Sequence, residues 1–309
     1  MPTLTPAARN SHLLGINGLS ANTINSILDK AARGPSADKP LAQKVVVNLF
    51  FENSTRTRTS FEISAFKLGA DVVNISTRDS SIAKGETLLD TALTLNAYKP
   101  AVLIVRHPNS GAVDLLAQKV NCSTINAGDG QHEHPTQALL DALTIQQSFG
   151  TLRGLKVALC GDVLHSRVAR SNYHLLDTMG AEVRLVGPDT LLPSAAAMPN
   201  AQRHLRLEDG LKNIDVVMML RLQVERMKGN YFPSVREYYH FWGLTPDRLR
   251  VASKGALVLH PGPMNRGVEI GSEVADDIKR SAIVRQLENG IAVRCACLEM
   301  VTGSFTPEQ

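Results

Sequence analysis

The sequence is poor in cysteine and has no long hydrophobic run. Its 309 residues include four cysteines, Cys122, Cys160, Cys295 and Cys297, too few and too unevenly spaced for a disulfide framework or a paired C-x-x-C zinc site. No stretch approaches the ~18 apolar residues that a membrane span requires, and the N-terminus has no apolar run behind a basic start. We therefore expect a cytoplasmic protein with reduced thiols and no membrane partner.

A strong charge imbalance is also missing. Lys and Arg total 33 against 29 Asp and Glu, which gives a net charge of +4, too small to indicate a nucleic-acid partner. Two of the eight Phe residues, Phe50 and Phe51, lie beside the basic loop described below, and both are predicted to belong to a strand. The aromatic interleaving typical of single-strand nucleic-acid binding is therefore absent. The mild positive charge suits small acidic substrates equally well.

The length and the hydrophobic pattern predict the fold class. A chain of this length favours two domains of roughly 150 residues each. Short apolar runs alternate with longer amphipathic stretches, which is typical of strands and helices alternating over a largely parallel sheet. The helix predicted for Pro135–Phe149, with Gly150 just past its end, connects the two halves. The predicted strands are 44–51, 71–75, 101–106 and 123–126 in the first half, and 156–160, 182–186, 215–219 and 256–259 in the second.

The strongest functional signal is a polar run after the first predicted strand. Five donor residues, Ser54 to Arg58, precede an apolar pattern of helical period, and Thr59 and Glu62 have the spacing of a capping box. We therefore expect a helix to begin within or just after this run, where N–H groups, hydroxyls and guanidinium groups would converge on a phosphate. A solvated basic loop is the alternative, but ligands of open α/β sheets bind at this end of a strand. The nucleotide signatures G-x-x-x-x-G-K-[ST] and G-x-G-x-x-G are missing, which indicates a phosphate outside a nucleotide.

The run Ser54-Thr55-Arg56-Thr57-Arg58 resembles the carbamoyl phosphate loop shared by the aspartate and ornithine carbamoyltransferases. Further motifs in the order of that family extend the resemblance from about Phe50 to Arg266. It implies an α/β fold of two domains, each with a mainly parallel sheet of four to five strands flanked by helices, and an active site in the interdomain cleft. It also implies a carbamoyl phosphate-binding domain at 1–147, onto which a C-terminal helix of about 290–309 packs back, and an aspartate-binding domain at 148–289.

The resemblance assigns roles around carbamoyl phosphate. Arg106, at the end of a predicted strand, would contact the phosphate and the carbonyl group. His134 would polarise the carbamoyl oxygen, and Gln137 would hold the carbamoyl nitrogen, together with the backbone carbonyls of Gly262 and Pro263. The catalytic residues implied are Arg56, Thr57, Arg106 and His134, and the binding set is Ser54, Thr55, Arg56, Thr57, Arg106, His134, Gln137, Gly262 and Pro263.

A metal site is the alternative interpretation of the segment that precedes the connecting helix. His132, Glu133 and His134 carry groups that ligate metals. No further ligand stands at a useful spacing, and an H-E-x-x-H helix is absent. We therefore expect neither a metal nor another cofactor.

The second half carries arginines that suit a dicarboxylic substrate. Arg167 could be a surface charge at a helix start, but arginine is also the residue suited to bidentate carboxylate binding. The resemblance assigns the carboxylates of aspartate to Arg167 and Arg221, assisted by Gln223 and Lys84. Ornithine enzymes carry a His-Cys-Leu-Pro element where this chain has His-Pro-Gly-Pro at 260–263, and the arginines would repel a cationic side chain. The implied reaction therefore forms N-carbamoyl-L-aspartate and phosphate, an early step of pyrimidine biosynthesis.

The segment 80–87 reads, by composition alone, as a polar loop with a solvated lysine. In the family, a loop with this pattern reaches into the site of a neighbouring subunit. The resemblance therefore implies a homotrimer with shared sites, in which Lys84 and Ser81, or Ser80 in its place, act in trans. It leaves open a regulatory or dihydroorotase-like chain in a larger assembly. The competing functions are an ornithine-type carbamoyltransferase and a non-catalytic protein that binds a phosphorylated ligand.

Overall fold

The computed structural model describes residues 12–76, 85–223 and 234–308. Along these residues, helices and strands alternate as the hydrophobic pattern predicts. Ser80, Ser81 and Lys84 lie outside the described residues. The strands are β1 (Val45–Phe50), β2 (Asp71–Ser76), β3 (Val102–His107), β4 (Ser123–Asp129), β5 (Lys156–Cys160), β6 (Glu182–Val186), β7 (Gln202–His204), β8 (Val216–Met219) and β9 (Leu257–Leu259).

The helices lie between these strands and at both ends of the described chain. They are α1 (Ala21–Arg33), α2 (Thr55–Lys67), α3 (Leu88–Ala97), α4 (Ala112–Ala117), α5 (Pro135–Phe149), α6 (Arg167–Thr178), α7 (Leu207–Leu211), α8 (Val235–Trp242), α9 (Pro246–Leu249), α10 (Ser272–Ala275) and α11 (Ile283–Val301). None of the described helices has the length and apolar character needed to cross a bilayer.

The chain forms two compact units. Unit 1 comprises Met1–Leu139 and Asn289–Gln309, and unit 2 comprises Leu140–Glu288. The boundaries between the units therefore fall inside α5 and α11.

Unit 1 is built on a four-stranded parallel sheet in the order β2-β1-β3-β4. The β-branched run Val45-Val46-Val47 opens β1, and the strand is buried from Val46 to Phe50. All seven residues of β4 are buried. Parallel strands covered on both faces show this kind of continuous burial. Leu49, Leu103 and Val105 belong to the core cluster of this sheet.

Unit 2 contains a five-stranded parallel sheet in the order β7-β6-β5-β8-β9. Its core cluster includes Ala158, Val217 and Val258 from three neighbouring strands. The eight strands predicted from the sequence are all present. Strand β7 was not predicted, because Gln202–His204 is short and polar and pairs with β6 at the edge of the sheet.

One capping expectation and one helix bound differ from the prediction. Helix α2 begins at Thr55, within the polar run as predicted, but Thr59 and Glu62 already lie inside the helix, so the capping box expected there is wrong. Helix α11 spans Ile283–Val301, so it begins and ends earlier than the expected 290–309. It ends there because Gly303 has a φ of 75°, which stops the helical path. The connecting helix Pro135–Phe149 has the predicted bounds.

The C-terminal part of α11 packs within unit 1. Arg294 donates to Ser60 Oγ at 2.8 Å and lies over the ring of Phe61, 5.1 Å from its centroid. Glu299 accepts the hydroxyl of Ser36 at 2.6 Å and pairs with Lys30 at 2.8 Å. These contacts join the last helix to the helices at the start of the chain.

The four cysteines are free and buried. Burial raises the pKa of Cys122 and Cys295 to about 11 and that of Cys297 to about 12. These thiols therefore stay protonated at neutral pH, which keeps them poor nucleophiles.

Candidate active site

The candidate residues of unit 1 meet at the carboxyl end of its sheet. Phe50 at the end of β1 lies opposite Arg106 in β3, and β4 adjoins β3. The segments that leave β1 and β4 carry Ser54 and His134 respectively. Ligands of open parallel sheets bind at this edge.

The N-terminus of α2 provides the groups suited to an anion. Ser54 occupies the N-cap position, and its side chain makes no capping hydrogen bond to the helix. Thr57 is buried and Arg56 is exposed. The first N–H groups of a helix have no partner within the helix, and the helix dipole is positive at this end. A phosphate placed there would therefore be stabilised by backbone, hydroxyl and guanidinium groups together.

Arg106 is held in place by two neighbours. Its Nε donates to Glu52 Oε2 at 3.2 Å, and its Nη1 donates to the backbone carbonyl of Ala127 at 3.2 Å. The two bonds fix the plane of the guanidinium group at the end of β3. The contact of Glu52 with Arg106 was not predicted from the sequence.

His134 and Gln137 are buried at the start of α5. The loop before them is anchored by Asp129, whose Oδ1 accepts Asn126 Nδ2 at 2.8 Å and the Glu133 N–H at 3.1 Å. Its Oδ2 accepts the N–H of Gly111 at 2.7 Å. A buried carboxylate that receives several N–H donors fixes the loop around it. The position of His134 is therefore defined by this network.

The metal site considered for His132, Glu133 and His134 does not match the contacts of Glu133. Its Oε2 accepts the N–H of Ile16 at 2.9 Å, and its Oε1 accepts the N–H of Asn17 at 3.0 Å. Both carboxylate oxygens therefore face backbone donors. Among the described residues, the group of potential ligands close enough to share a metal is Asp114, Asp129 and His132. Asp129 already accepts the bonds that anchor its loop, and these explain its burial.

His107 lies beside Arg106 and packs against the ring of Phe51, with 4.6 Å between the ring centroids. Its Nδ1 accepts the N–H of Asn109 at 3.0 Å. Burial lowers the pKa of His107 below its ordinary value of 6.5, against the opposing charges of Glu52 and Asp129. A neutral imidazole that packs on Phe51 and accepts the Asn109 N–H fits a structural role for His107.

In unit 2, Arg167 is the first residue of α6. Ser166 caps the helix by accepting the Ala169 N–H at 3.1 Å. Arg167 is only 4 % exposed. Its position after β5, at the carboxyl end of the sheet, is the one expected for a residue that binds an acidic ligand.

Gln223 links the segment after β8 to the segment after β5. Its N–H donates to Asp162 Oδ2 at 3.3 Å, and its Nε2 donates to the carbonyl of His165 at 3.3 Å. Asp162 Oδ1 also contacts His165 Nδ1 at 2.8 Å. Since Arg221 precedes Gln223 by two residues and Arg167 follows His165 by two, this network brings Arg167, Arg221 and Gln223 to one edge of the sheet. Asp162 itself was not predicted.

The turn that contains Gly262 and Pro263 follows β9 at the same edge. Strand β9 pairs with β8, and β8 pairs with β5. Gly262 has a φ of 65°, which favours glycine, and the Gly262–Pro263 peptide bond is cis. The predicted residues of unit 2 therefore follow three neighbouring strands.

Two family models match the sequence, one in each half. Residues 11–147 match "Aspartate/ornithine carbamoyltransferase, carbamoyl-P binding domain", and residues 153–301 match "Aspartate/ornithine carbamoyltransferase, Asp/Orn binding domain". Together they cover most of the chain.

Curated relatives and solved structures resemble the chain over nearly its whole length. The aspartate carbamoyltransferase catalytic subunit of Rhodospirillum rubrum is 58 % identical over 309 residues, 98 % of this chain and 97 % of the relative. That of Rhodospirillum centenum is 61 % identical over 298 residues, 94 % of each chain.

Among solved structures, aspartate transcarbamoylase from Trypanosoma cruzi in complex with N-(phosphonacetyl)-L-aspartic acid matches with a TM-score of 0.85 at 32 % identity. The match covers 94 % of this chain and 95 % of that one. Ornithine carbamoyltransferase from Pyrococcus furiosus also matches with a TM-score of 0.85, at 25 % identity over 96 % and 98 % of the two chains.

Proposed function

Because this chain belongs to the aspartate/ornithine carbamoyltransferase family, we propose that it transfers the carbamoyl group of carbamoyl phosphate to the amine of L-aspartate. The products are N-carbamoyl-L-aspartate and phosphate, in an early step of pyrimidine biosynthesis in the cytoplasm. The family matches to 11–147 and 153–301 support a carbamoyl phosphate-binding domain at 1–147 and an aspartate-binding domain at 148–289. The inclusion of 289–309 in unit 1 supports the packing of the C-terminal segment on the first domain.

One observation carries the choice of aspartate over ornithine. Arg167 and Arg221 follow β5 and β8, which are neighbours in one sheet, and the Gln223 network holds their segments together. Two guanidinium groups at one edge attract a second carboxylate and repel an ammonium group. The high identity to catalytic subunits of aspartate carbamoyltransferases supports the same choice.

In the proposed reaction, the phosphate group lies at the N-terminus of α2. It is bound there by Ser54, Thr55, Arg56 and Thr57, and by Arg106 from β3. These groups neutralise the charge of the leaving phosphate. The carbamoyl NH₂ is held by Gln137 and by the backbone carbonyls of Gly262 and Pro263.

The amine of aspartate attacks the carbonyl carbon, and negative charge develops on the carbonyl oxygen. His134, Arg106 and the hydroxyl of Thr57 stabilise that charge. The new C–N bond forms as the C–O bond to phosphate breaks, and the departing phosphate takes the amine proton. The balance of the reaction requires neither a covalent enzyme intermediate nor a cofactor.

We also propose that the chain acts as a homotrimer with shared sites. Ser81 and Lys84 would extend into the site of the neighbouring subunit, where Lys84 would assist Arg167, Arg221 and Gln223 in binding aspartate. Regulatory or dihydroorotase-like chains could join such trimers in a larger assembly.

The test is an assay for carbamoylated product and released phosphate. The purified chain receives carbamoyl phosphate with either L-aspartate or L-ornithine. We expect product with aspartate alone. Product with ornithine alone would assign the chain to the ornithine-type activity, which the likeness to the Pyrococcus furiosus enzyme makes the second candidate. Binding of carbamoyl phosphate without product from either amine would identify a binding protein.

A further inference from the structure

A chain of buried polar side chains lies behind the Gly262–Pro263 turn of unit 2. Asp141 in α5 accepts Asn172 Nδ2 at 2.9 Å and Gln286 Nε2 at 2.7 Å. Gln286 in turn accepts the backbone N–H of His260 at 2.9 Å. His260 Nε2 lies 3.1 Å from Glu269 Oε1. All five residues are buried, so three helices and the end of β9 are joined by one polar network.

The hydrogen bonds of His260 define its tautomer. The backbone N–H of Gly262 lies 2.9 Å from His260 Nδ1. Because a backbone N–H can only donate, Nδ1 accepts and carries no proton. The proton is therefore on Nε2, which donates to Glu269. Both ring nitrogens are used, and the backbone of His260 is held by Gln286, so the ring has a single orientation.

Glu269 holds the far side of the same turn. Its Oε1 accepts both His260 Nε2 and the backbone N–H of Asn265. The turn is thus fixed at Gly262 through the imidazole and at Asn265 through the carboxylate. Pro263 has no N–H and cannot contribute a backbone donor of its own. The side chains of His260 and Glu269 accept the N–H groups on either side of Pro263, those of Gly262 and Asn265.

Stability alone does not explain Glu269. The residue is fully buried, and its Oε2 has no hydrogen-bond partner among the residues that the structure describes. A buried carboxylate with an unsatisfied oxygen costs free energy. A role in defining the conformation of the turn accounts for this cost.

We infer that His260 and Glu269 are positioning residues that aim the carbonyl groups of Gly262 and Pro263, and thereby make the site selective for carbamoyl phosphate over acyl phosphates that lack an NH₂ group. The inference rests on the proposed function, in which these carbonyls accept the two N–H donors of the carbamoyl group. Acetyl phosphate has a methyl group at that position and gives the carbonyls no donor. A site built to bind an N–H group rejects an analogue without it, and the rejection depends on the placement of the acceptors.

The experiment measures selectivity in the full-length protein. For each variant, kcat/KM is determined for carbamoyl phosphate with L-aspartate, and acetyl phosphate is titrated as a competitive inhibitor. Glu269→Ala should lower kcat/KM for carbamoyl phosphate by about tenfold or more and change the acetyl phosphate inhibition constant by less than about threefold. Glu269→Gln, whose amide oxygen can accept the same two bonds, should restore most of the selectivity.

Two further variants separate positioning from folding. His260→Asn keeps an acceptor for the Gly262 N–H but loses the link to Glu269, so it should lose selectivity even if Glu269→Ala does not fold. Asp215→Ala is the matched control: Asp215 accepts the Lys156 N–H at 2.9 Å and the Ser253 hydroxyl at 3.2 Å before β8, at the other end of the sheet. It should lower the thermal unfolding midpoint without changing selectivity.

The outcomes are distinct. Equal weakening of carbamoyl phosphate and acetyl phosphate in Glu269→Ala and His260→Asn would overturn the inference and leave the proposed function intact. A parent protein that forms no product from carbamoyl phosphate and aspartate would overturn the proposed function itself. A selective loss for carbamoyl phosphate, rescued in Glu269→Gln, would support the positioning role.

Discussion

Glu133 accepts the backbone N–H of Ile16 at 2.9 Å, across 117 residues of sequence. The bond ties the segment before α1 to the residue that precedes His134. The N–H of Asn17 donates to the other oxygen of the same carboxylate. The side chain of Glu133 therefore links the segment before α1 to the loop that carries the proposed catalytic His134.

Replacing Glu133 should therefore destabilise unit 1. Hydrogen bonds to a charged acceptor contribute about 1.5–3 kcal/mol each. Glu133→Ala leaves the buried N–H of Ile16 without its acceptor, whereas the part-buried N–H of Asn17 can turn to water. We expect the free energy of unfolding to fall by roughly 2–4 kcal/mol, measured by urea denaturation. Glu133→Gln keeps one acceptor oxygen and should lose less. The exposed Asp38 provides a control through Asp38→Ala, and equal effects of all three substitutions would contradict the role given to Glu133.

Arg56 should be required for turnover and dispensable for folding. Its side chain is exposed at the start of α2, so Arg56→Ala should leave the thermal midpoint nearly unchanged. Loss of a group that stabilises transition-state charge lowers kcat by about 10²–10³-fold. Lys67→Ala removes a positive charge from the last turn of the same helix and should leave kcat unaltered. Near-normal kcat in Arg56→Ala would exclude the proposed phosphate site.

Mixing two inactive variants tests the shared sites. If Lys84 acts in the neighbouring subunit, a trimer assembled from Arg56→Ala and Lys84→Gln chains contains some sites with both wild-type residues. Random mixing places about a quarter of the sites in this state, so activity should reappear at up to that fraction. A mixture of Arg56→Ala with His134→Ala should stay inactive, because both residues are proposed to act within one chain. Verified mixed trimers with no recovered activity would argue that each site belongs to one subunit.

His107 should contribute to the pH dependence of stability. Burial lowers its pKa below 6.5 in the folded chain, so between the two pKa values the unfolded chain binds more protons than the folded chain. Stability from this group is then complete above pH 6.5 and is lost as the pH falls through that value. His107→Asn, which can still accept the Asn109 N–H, should reduce the drop in thermal midpoint between pH 7.5 and about 5.5. An unchanged drop would show that other groups, such as the similarly shifted His12 and His204, account for it.

The strands were predictable because short β-branched runs such as Val45-Val46-Val47 are local signals. The bounds of α5 were equally local, since Pro135 and Gly150 mark its two ends. Strand β7 has neither signal: three polar residues form a strand only because the edge of β6 offers them backbone partners. Burial and pairing of this kind depend on the folded chain and are not encoded in a short window.

The position of the candidate residues at strand ends was also predictable, because ligands of parallel sheets bind at the carboxyl edge whatever the order of the strands. The carboxylates that hold these residues in place were not predictable. Glu52 and Asp162 accept hydrogen bonds from residues distant in sequence, Arg106 and Gln223. Glu269 accepts the N–H of Asn265, which only the folded turn brings within reach. The sequence around a single Asp or Glu after a strand does not show whether its side chain is exposed to solvent or is a buried hydrogen-bond acceptor.

Unit 1 is discontinuous, since its last 21 residues, Asn289–Gln309, follow all of unit 2 along the chain. Glu299 in that segment contacts Lys30 of α1 and Ser36 shortly after it, and Arg294 contacts Ser60 of α2. During synthesis on the ribosome, unit 1 therefore cannot be completed until Asn289–Gln309 has been translated, after all of unit 2. Although domains of nascent chains usually fold in order from the N-terminus, unit 1 receives its last helical segment after unit 2 has been made, and a chain truncated before Asn289 would carry an unfinished first unit.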